Sequence, residues 1–258
     1  MNRRILALAW SCCLVLFIQS AAAQLVYFDE TPRGLYTFNP ITGASTLRCV
    51  VPGTERFFGM DRRASDGVIF GTDLFGSGLW TINPNTCATT RIGTLTPAID
   101  RPEGIAFHPI TGQLYVSSVD GDLYKVNSAN AATTLVGHSG LTIRGHSFSP
   151  DGSRFLAIHE STGDLYSVNP LNAVATRIGP SIPSSTPEDM TFTADGQLFG
   201  TAFSGELYGI NPATGAATLL GTSPDPGGLL SLVAIPEPGA LWSASLLLSL
   251  LRRRRRVP

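Results

Sequence analysis

At 258 residues, 43% of them hydrophobic and 14% charged, the chain is too long and too apolar to be disordered. Its 27 glycines and 18 prolines fall mostly between short apolar runs, which favours an all-β fold. The formal charge of −1 hides basic ends. Arg3, Arg4 and Arg252 to Arg256 carry seven of the positive charges, so the body between them is acidic by about seven charges and is unsuited to neutralising nucleic-acid phosphates.

Residues 1–23 have the pattern of a secretory signal peptide. Arg3 and Arg4 form the basic start and Ile5 to Ile18 the apolar middle. Ala21 and Ala23 fit the small-residue rule for signal peptidase, which puts the mature start at Gln24. A retained membrane helix is the alternative, but the apolar run is short for a span.

From residue 24 to 235 the chain repeats itself. The stretch Leu207-Tyr208-Gly209-Ile210-Asn211-Pro212 has near-copies starting at Leu35, Leu79, Leu123 and Leu165, spaced 42 to 44 residues apart. That is the period of one propeller blade. Each full repeat predicts four short strands, A to D. In the third they are Gly104 to Phe107, Gln113 to Ser118, Leu123 to Val126 and Ala132 to Gly137. In the second, Arg62-Arg63 interrupts strand A.

Asn-Pro followed by Thr-Gly or an equivalent joins C to D. Proline presets φ, glycine supplies positive φ, and Asn and Thr hydrogen-bond the turn. The strands are apolar on both faces, which suits blades packed between blades better than a two-sheet sandwich.

The first repeat supplies B, C and D strands only: Leu25 to Phe28, Leu35 to Phe38 and Ser45 to Val50. A spare run, Leu229 to Ile235, follows the fifth repeat where a strand A is due. The economical reading is a five-bladed β-propeller of four-stranded blades, closed one-plus-three. An open stack of sheets would need capping ends, and none is visible in the sequence.

Residues 236–258 run Pro236-Glu237-Pro238, then apolar Gly239 to Leu251, then five arginines. In that order the three parts resemble the PEP-CTERM sorting signal of exopolysaccharide-producing Gram-negative bacteria. The resemblance implies recognition by an exosortase and cleavage near the motif. Thirteen apolar residues make a helix of about 20 Å against a hydrocarbon core of about 30 Å, which suits transient membrane anchoring by this C-terminal helix. A permanent single-pass anchor is the alternative. The body resembles secreted bacterial propellers built from Leu-Tyr-x-Ile-Asn-Pro-x-Thr-Gly-x-Ala-Thr repeats, which implies a fold more than an activity.

Chemistry is sparse. Cys49 and Cys87 lie in or near the outer strands of adjacent blades; a disulfide is possible in an oxidising compartment, and two separate thiols are the simpler expectation. None of His108, His138, His146 and His159 stands at metal-ligand spacing with another. His108 occupies a turn slot filled elsewhere by Ser149 and Thr193 and so reads as solvated, whereas His146 lies in a strand A near the channel.

Glu103, Arg144, His146, Glu188 and Asp189 fall at the start of strand A in three blades. They converge on the channel mouth if the chain is a propeller lyase or hydrolase, and are solvated rim charges otherwise. The D-to-A and B-to-C loops share one rim and carry most of the acids. That rim is expected to face outward and to engage cations or a basic partner. Ca²⁺ at Glu103, Glu188 and Asp189, bridging to acidic polysaccharide, is the concrete version. The favoured reading is an exported, non-enzymatic binding or matrix protein, displayed at the cell surface or in extracellular polysaccharide after signal peptidase and exosortase processing. No nucleic-acid partner and no catalytic cofactor are expected.

Overall fold

The computed structural model describes residues 23–236 apart from 31–32, 40–43, 74, 184–185 and 224–227. The predicted signal peptide up to residue 22 and the sorting segment from Glu237 onward lie outside the described residues. Within them every regular element is a β-strand.

Blade 1 holds β1 (Gln24–Glu30), β2 (Arg33–Phe38) and β3 (Ser45–Val50), with β20 (Leu229–Ile235) as its innermost strand. Blade 2 is β4 (Phe57–Arg62), β5 (Ile69–Asp73), β6 (Gly78–Ile82) and β7 (Thr89–Thr94). Blade 3 is β8 (Pro102–Phe107), β9 (Leu114–Ser118), β10 (Asp122–Val126) and β11 (Thr133–His138). Blade 4 is β12 (Ile143–Phe148), β13 (Phe155–His159), β14 (Asp164–Val168) and β15 (Ala175–Pro180). Blade 5 is β16 (Pro187–Phe192), β17 (Leu198–Ala202), β18 (Glu206–Ile210) and β19 (Ala217–Thr222). All neighbouring strands within a blade are antiparallel, and the expected strands are met within about two residues.

The one-plus-three closure is present. β20 pairs with β1 from Gln24 opposite Ile235 to Asp29 opposite Leu229, so the last strand completes the first blade. Leu229, Leu230, Leu232, Val233 and Ile235 are all buried there. Strand β4 forms despite Arg62-Arg63, because Arg63 has left the ladder. It pairs with Asp66 and lies 4.8 Å over the ring of Phe70.

The core is divided among the joints between blades. Each of five apolar clusters draws on two neighbouring blades. Phe28 and Leu35 meet Phe57 and Ile69 between blades 1 and 2, and Tyr36 and Phe38 meet Phe199 and Leu207 between blades 5 and 1. Burying a side chain of this size stabilises by roughly 1.5–3 kcal/mol. This accounts for strands that are apolar on both faces.

The C-to-D turns work as their residues suggest. Asn83 Oδ1 accepts the amides of Asn85 and Thr86, and Asn127, Asn169 and Asn211 repeat the bond to the residue two further on. Positive φ at the turn's end is supplied by glycine in one described turn, Gly215, but by Cys87, Ala131 and Ala173 in the others. Those small side chains pack against the outer strand of the preceding blade. A Cβ placed on Gly93 would sit 3.4 Å from the Ala131 Cβ, and one on Gly137 3.4 Å from that of Ala173. At the joint of blades 1 and 2 both partners differ: Cys49 stands in the glycine slot and Cys87 in the turn slot. They form a disulfide, with Cα atoms 5.7 Å apart. Two separate thiols were the simpler expectation. The repeat geometry overrides it, because it brings these two slots into contact at every described joint.

Candidate functional site at the channel mouth

The innermost strands β4, β8, β12, β16 and β20 are sheet edges that face one another around the axis. Their register places Phe58, Glu103, Arg144, Glu188 and Leu230 at one equivalent position, the start of each strand, where a bulge interrupts the pairing to the next strand. The following position is Gly59, Gly104 and Gly145 in blades 2 to 4. A Cβ on Gly59 would lie 2.6 Å from the Glu103 carbonyl oxygen, and one on Gly145 2.6 Å from the Asp189 Cα. Close approach of neighbouring inner strands therefore requires glycine there.

Glu103 and Glu188 are buried, at 1% and 4% exposure, so the expectation of solvated rim charges does not hold for them. They converge on Arg144. Its Nη1 donates to Glu103 Oε2 at 2.9 Å and lies 3.4 Å from Glu188 Oε2, and its Nη2 lies 3.0 Å from Glu160 Oε1. Its guanidinium carbon is 6.0 Å from the centre of the Phe58 ring. Arg101 adds a longer contact to Glu103 Oε1, 3.3 Å. Burial opposes the charge of Arg144, but Glu188, Glu103 and Glu160 more than offset it and raise its pKa. For Glu103 burial prevails over Arg144 and Arg101, and its pKa is raised.

Asp189 is not on the rim. It stands in the slot that is glycine in blades 2 to 4, and its carboxyl enters the channel. There it accepts the amides of Met190 and Leu232, each at 2.8 Å, and that of Met60. Asp61 does the same one step along β4, accepting the amides of Arg62 at 2.7 Å and Phe107 at 2.6 Å. Ser147 Oγ accepts the amide of Phe192. These side chains satisfy the inner-edge N–H groups that a sheet edge otherwise leaves bare. Burial raises Asp61 to about 6 and Asp189 well above its ordinary value, against the pull of those amides. Among the described residues no group of histidine, cysteine, aspartate and glutamate is placed to hold a metal ion.

His146 does not reach the mouth. Its ring is buried against Gly104 and edge-on to Phe155, 5.0 Å between centres, in the core slot that holds Met60, Ile105 and Met190 in other blades. Neither ring nitrogen has a hydrogen-bond partner among the described residues, and burial lowers its pKa to about 3. His108 is not a free turn residue either. It packs on Phe148 at 4.9 Å, and its Nδ1 accepts the amide of Ile110.

Sequence reasoning named Glu103, Arg144 and Glu188 and missed Phe58, Asp61 and Glu160. The signal for Phe58 was its shared slot with Glu103 and Arg144. Asp61 was hidden beside Arg62-Arg63, in the weakest strand A. Glu160 comes from the loop after β13, one of the B-to-C loops expected to share the acidic rim with Glu103 and Glu188, but was not singled out as a site residue.

A family model described as a repeat of unknown function, DUF6923, matches residues 136–245, less than half of the chain. No curated protein matches. Among solved structures the chain is similar to one from a nidogen/laminin complex. The TM-score is 0.57 and the identity 11%, covering 83% of this chain and 98% of that one. It is also similar to a protein of unknown function from Bacteroides thetaiotaomicron. There the TM-score is 0.55 and the identity 14%, covering 76% of this chain and 54% of that one. At such identities the likeness extends to the fold alone.

Proposed function

We propose that this propeller is exported and acts as a binding or matrix protein at the cell surface or in extracellular polysaccharide, without catalysing a reaction. The observation that carries the reading is the Cys49–Cys87 disulfide. Cross-links of this kind persist in oxidising compartments and are rare in the cytosol. The pair replaces a glycine and an alanine at facing slots of one joint, so both departures from the repeat serve a single bond. The signal-peptide pattern of residues 1–23 and the resemblance of residues 236–258 to an exosortase substrate agree with it.

Against catalysis stands the occupation of the candidate groups. Glu103, Glu160 and Glu188 are engaged by Arg144, Asp189 by backbone amides, and His146 has no proton partner. A second reading, a lyase or hydrolase, draws on the convergence of Glu103, Arg144 and Glu188 at one mouth. It expects turnover of a polysaccharide that Glu103→Gln abolishes.

The export reading is tested by intact mass of the chain recovered from the envelope or medium of an exosortase-bearing host. The expected product starts at Gln24, ends near Pro236 and gains no alkyl groups until reduced. Glu237→Ala is expected to retain the C-terminal mass. A full-length cytosolic product with all four cysteines, Cys12, Cys13, Cys49 and Cys87, alkylatable without reduction would refute the proposal.

A further inference from the structure

The Arg144 side chain touches more of the ring than any single blade needs. It rises from β12 in blade 4, reaches Glu103 of blade 3 and Glu188 of blade 5, and lies over Phe58 of blade 2. Glu160 of its own blade holds the second arm of the fork. The five mouth positions are thus one guanidinium, the three side chains of Phe58, Glu103 and Glu188 around it and, at the fifth, the buried Leu230 of blade 1. Behind them lie the carboxyl groups of Asp61 and Asp189 and the backbone amides they accept.

We propose that Arg144 is the stopper of the central channel, held in a receptor of three carboxylates and an aromatic ring that fits a guanidinium, and that it keeps water from the inner strand edges behind it. A planar fork with five donors suits three carboxylates arriving from different directions, and its flat face suits Phe58. An ammonium is a point charge and matches neither feature. Arg144 is the cation that Glu103 and Glu188 share, and without it two buried carboxyl groups lose that common counter-charge.

The test is amide hydrogen exchange on the full chain, read at Phe107 and Leu232, whose N–H groups are bonded to Asp61 and Asp189. In Arg144→Ala these two amides are expected to exchange faster by roughly tenfold or more, while outer-strand amides such as Thr90 and Thr176 keep their rates. Low-millimolar guanidinium is expected to restore protection, and the same concentration of ammonium to leave it unrestored. Arg144→Lys is expected to protect only in part. Should Arg144→Ala fail to fold, Arg144→Lys and Glu160→Gln carry the same comparison. Unchanged exchange at Phe107 and Leu232 would overturn the stopper. So would a uniform rise at all amides that guanidinium does not reverse, because that marks general destabilisation.

Discussion

Gly93 faces Ala131 across the joint of blades 2 and 3 in the way Cys49 faces Cys87 across the joint of blades 1 and 2. A Cβ on Gly93 would lie 3.4 Å from that of Ala131 and 3.3 Å from the Asn130 carbonyl oxygen, so a side chain fits with a shift of a few tenths of an ångström. The next joint is less forgiving. A Cβ on Gly137 would lie 2.6 Å from the Asn172 oxygen. Gly93→Cys with Ala131→Cys is therefore expected to cross-link on oxidation and raise stability, by up to about 4 kcal/mol in the chain-entropy model. Gly137→Cys with Ala173→Cys is expected to destabilise the reduced protein. Mobility on non-reducing gels and unfolding midpoints check both; equal cross-linking at the two joints would contradict this geometry.

The natural bond can be removed without leaving a hole. Cys49→Gly with Cys87→Ala installs the pair found at the next joint. The double variant is expected to fold and to lose about 4 kcal/mol, the constraint on a loop of this length. Because the slots stay filled, the loss should equal that seen on reducing the unaltered protein. A markedly larger loss in the variant, by denaturant titration, would mean that the sulfurs contribute packing that alanine and glycine do not.

His146 and Asp61 give the stability a pH dependence with opposite signs. His146 stays neutral in the folded chain down to about pH 3, while its unfolded value is 6.5. Between these the unfolded chain binds the extra proton, so the stability His146 contributes is full above 6.5 and is lost as pH falls. The change is at most about tenfold in the folding equilibrium per pH unit. Asp61 is raised from 3.8 to about 6, so the folded chain binds its proton more tightly. Its contribution is full below about pH 4 and is lost as pH rises through about 6. Asp189 acts in the same direction. His146→Met, which matches Met60 and Met190, is expected to flatten the acid side of the profile. Asp61→Asn is expected to flatten the rise-and-loss between pH 4 and 6. Denaturation midpoints measured across pH 4 to 8 check each, and a His146→Met profile that falls on the acid side as steeply as the parent's would refute the first.

Deletion of 229–235 removes five buried apolar side chains and the inner strand of blade 1. At roughly 1.5–3 kcal/mol each, their loss is comparable with the whole net stability of an ordinary domain. The truncated body is expected to be insoluble or rapidly cleaved by protease. Adding residues 229–235 back as a synthetic peptide should recover part of the fold. A truncated chain that unfolds cooperatively at an unchanged midpoint would show that β20 is dispensable.

The blade number, the strand order and the latch were legible because each rests on a pattern that recurs. Apolar strands, Asn-led turns and a missing strand A are visible by aligning the chain with itself. Glu103, Arg144 and Glu188 were visible for the same reason, since they occupy one slot in successive repeats. Their burial was not, because it depends on Arg144 spanning the mouth, which no local pattern encodes. Asp189 was misread because a carboxyl beside a strand start looks like a surface charge, and Asp61 was missed because it stands next to Arg62-Arg63 at the end of β4. Only the closed ring turns an inner-edge amide into its partner. The disulfide was left open because the period says which slots are equivalent, whereas contact between slots of different blades follows from the angle at which blades pack.

Pairing of Gln24 with Ile235 sets an order of events in the life of the chain. Blades 2 to 5 hold all their strands in continuous sequence and can form as the chain emerges. Blade 1 must wait for the last strand, so through most of synthesis its β1 to β3 sheet presents a bare edge. The ring becomes a ring only at the final moment. Whatever handles the chain until then handles an open horseshoe, and the completed propeller first exists when residue 235 is clear of the machinery that delivered it.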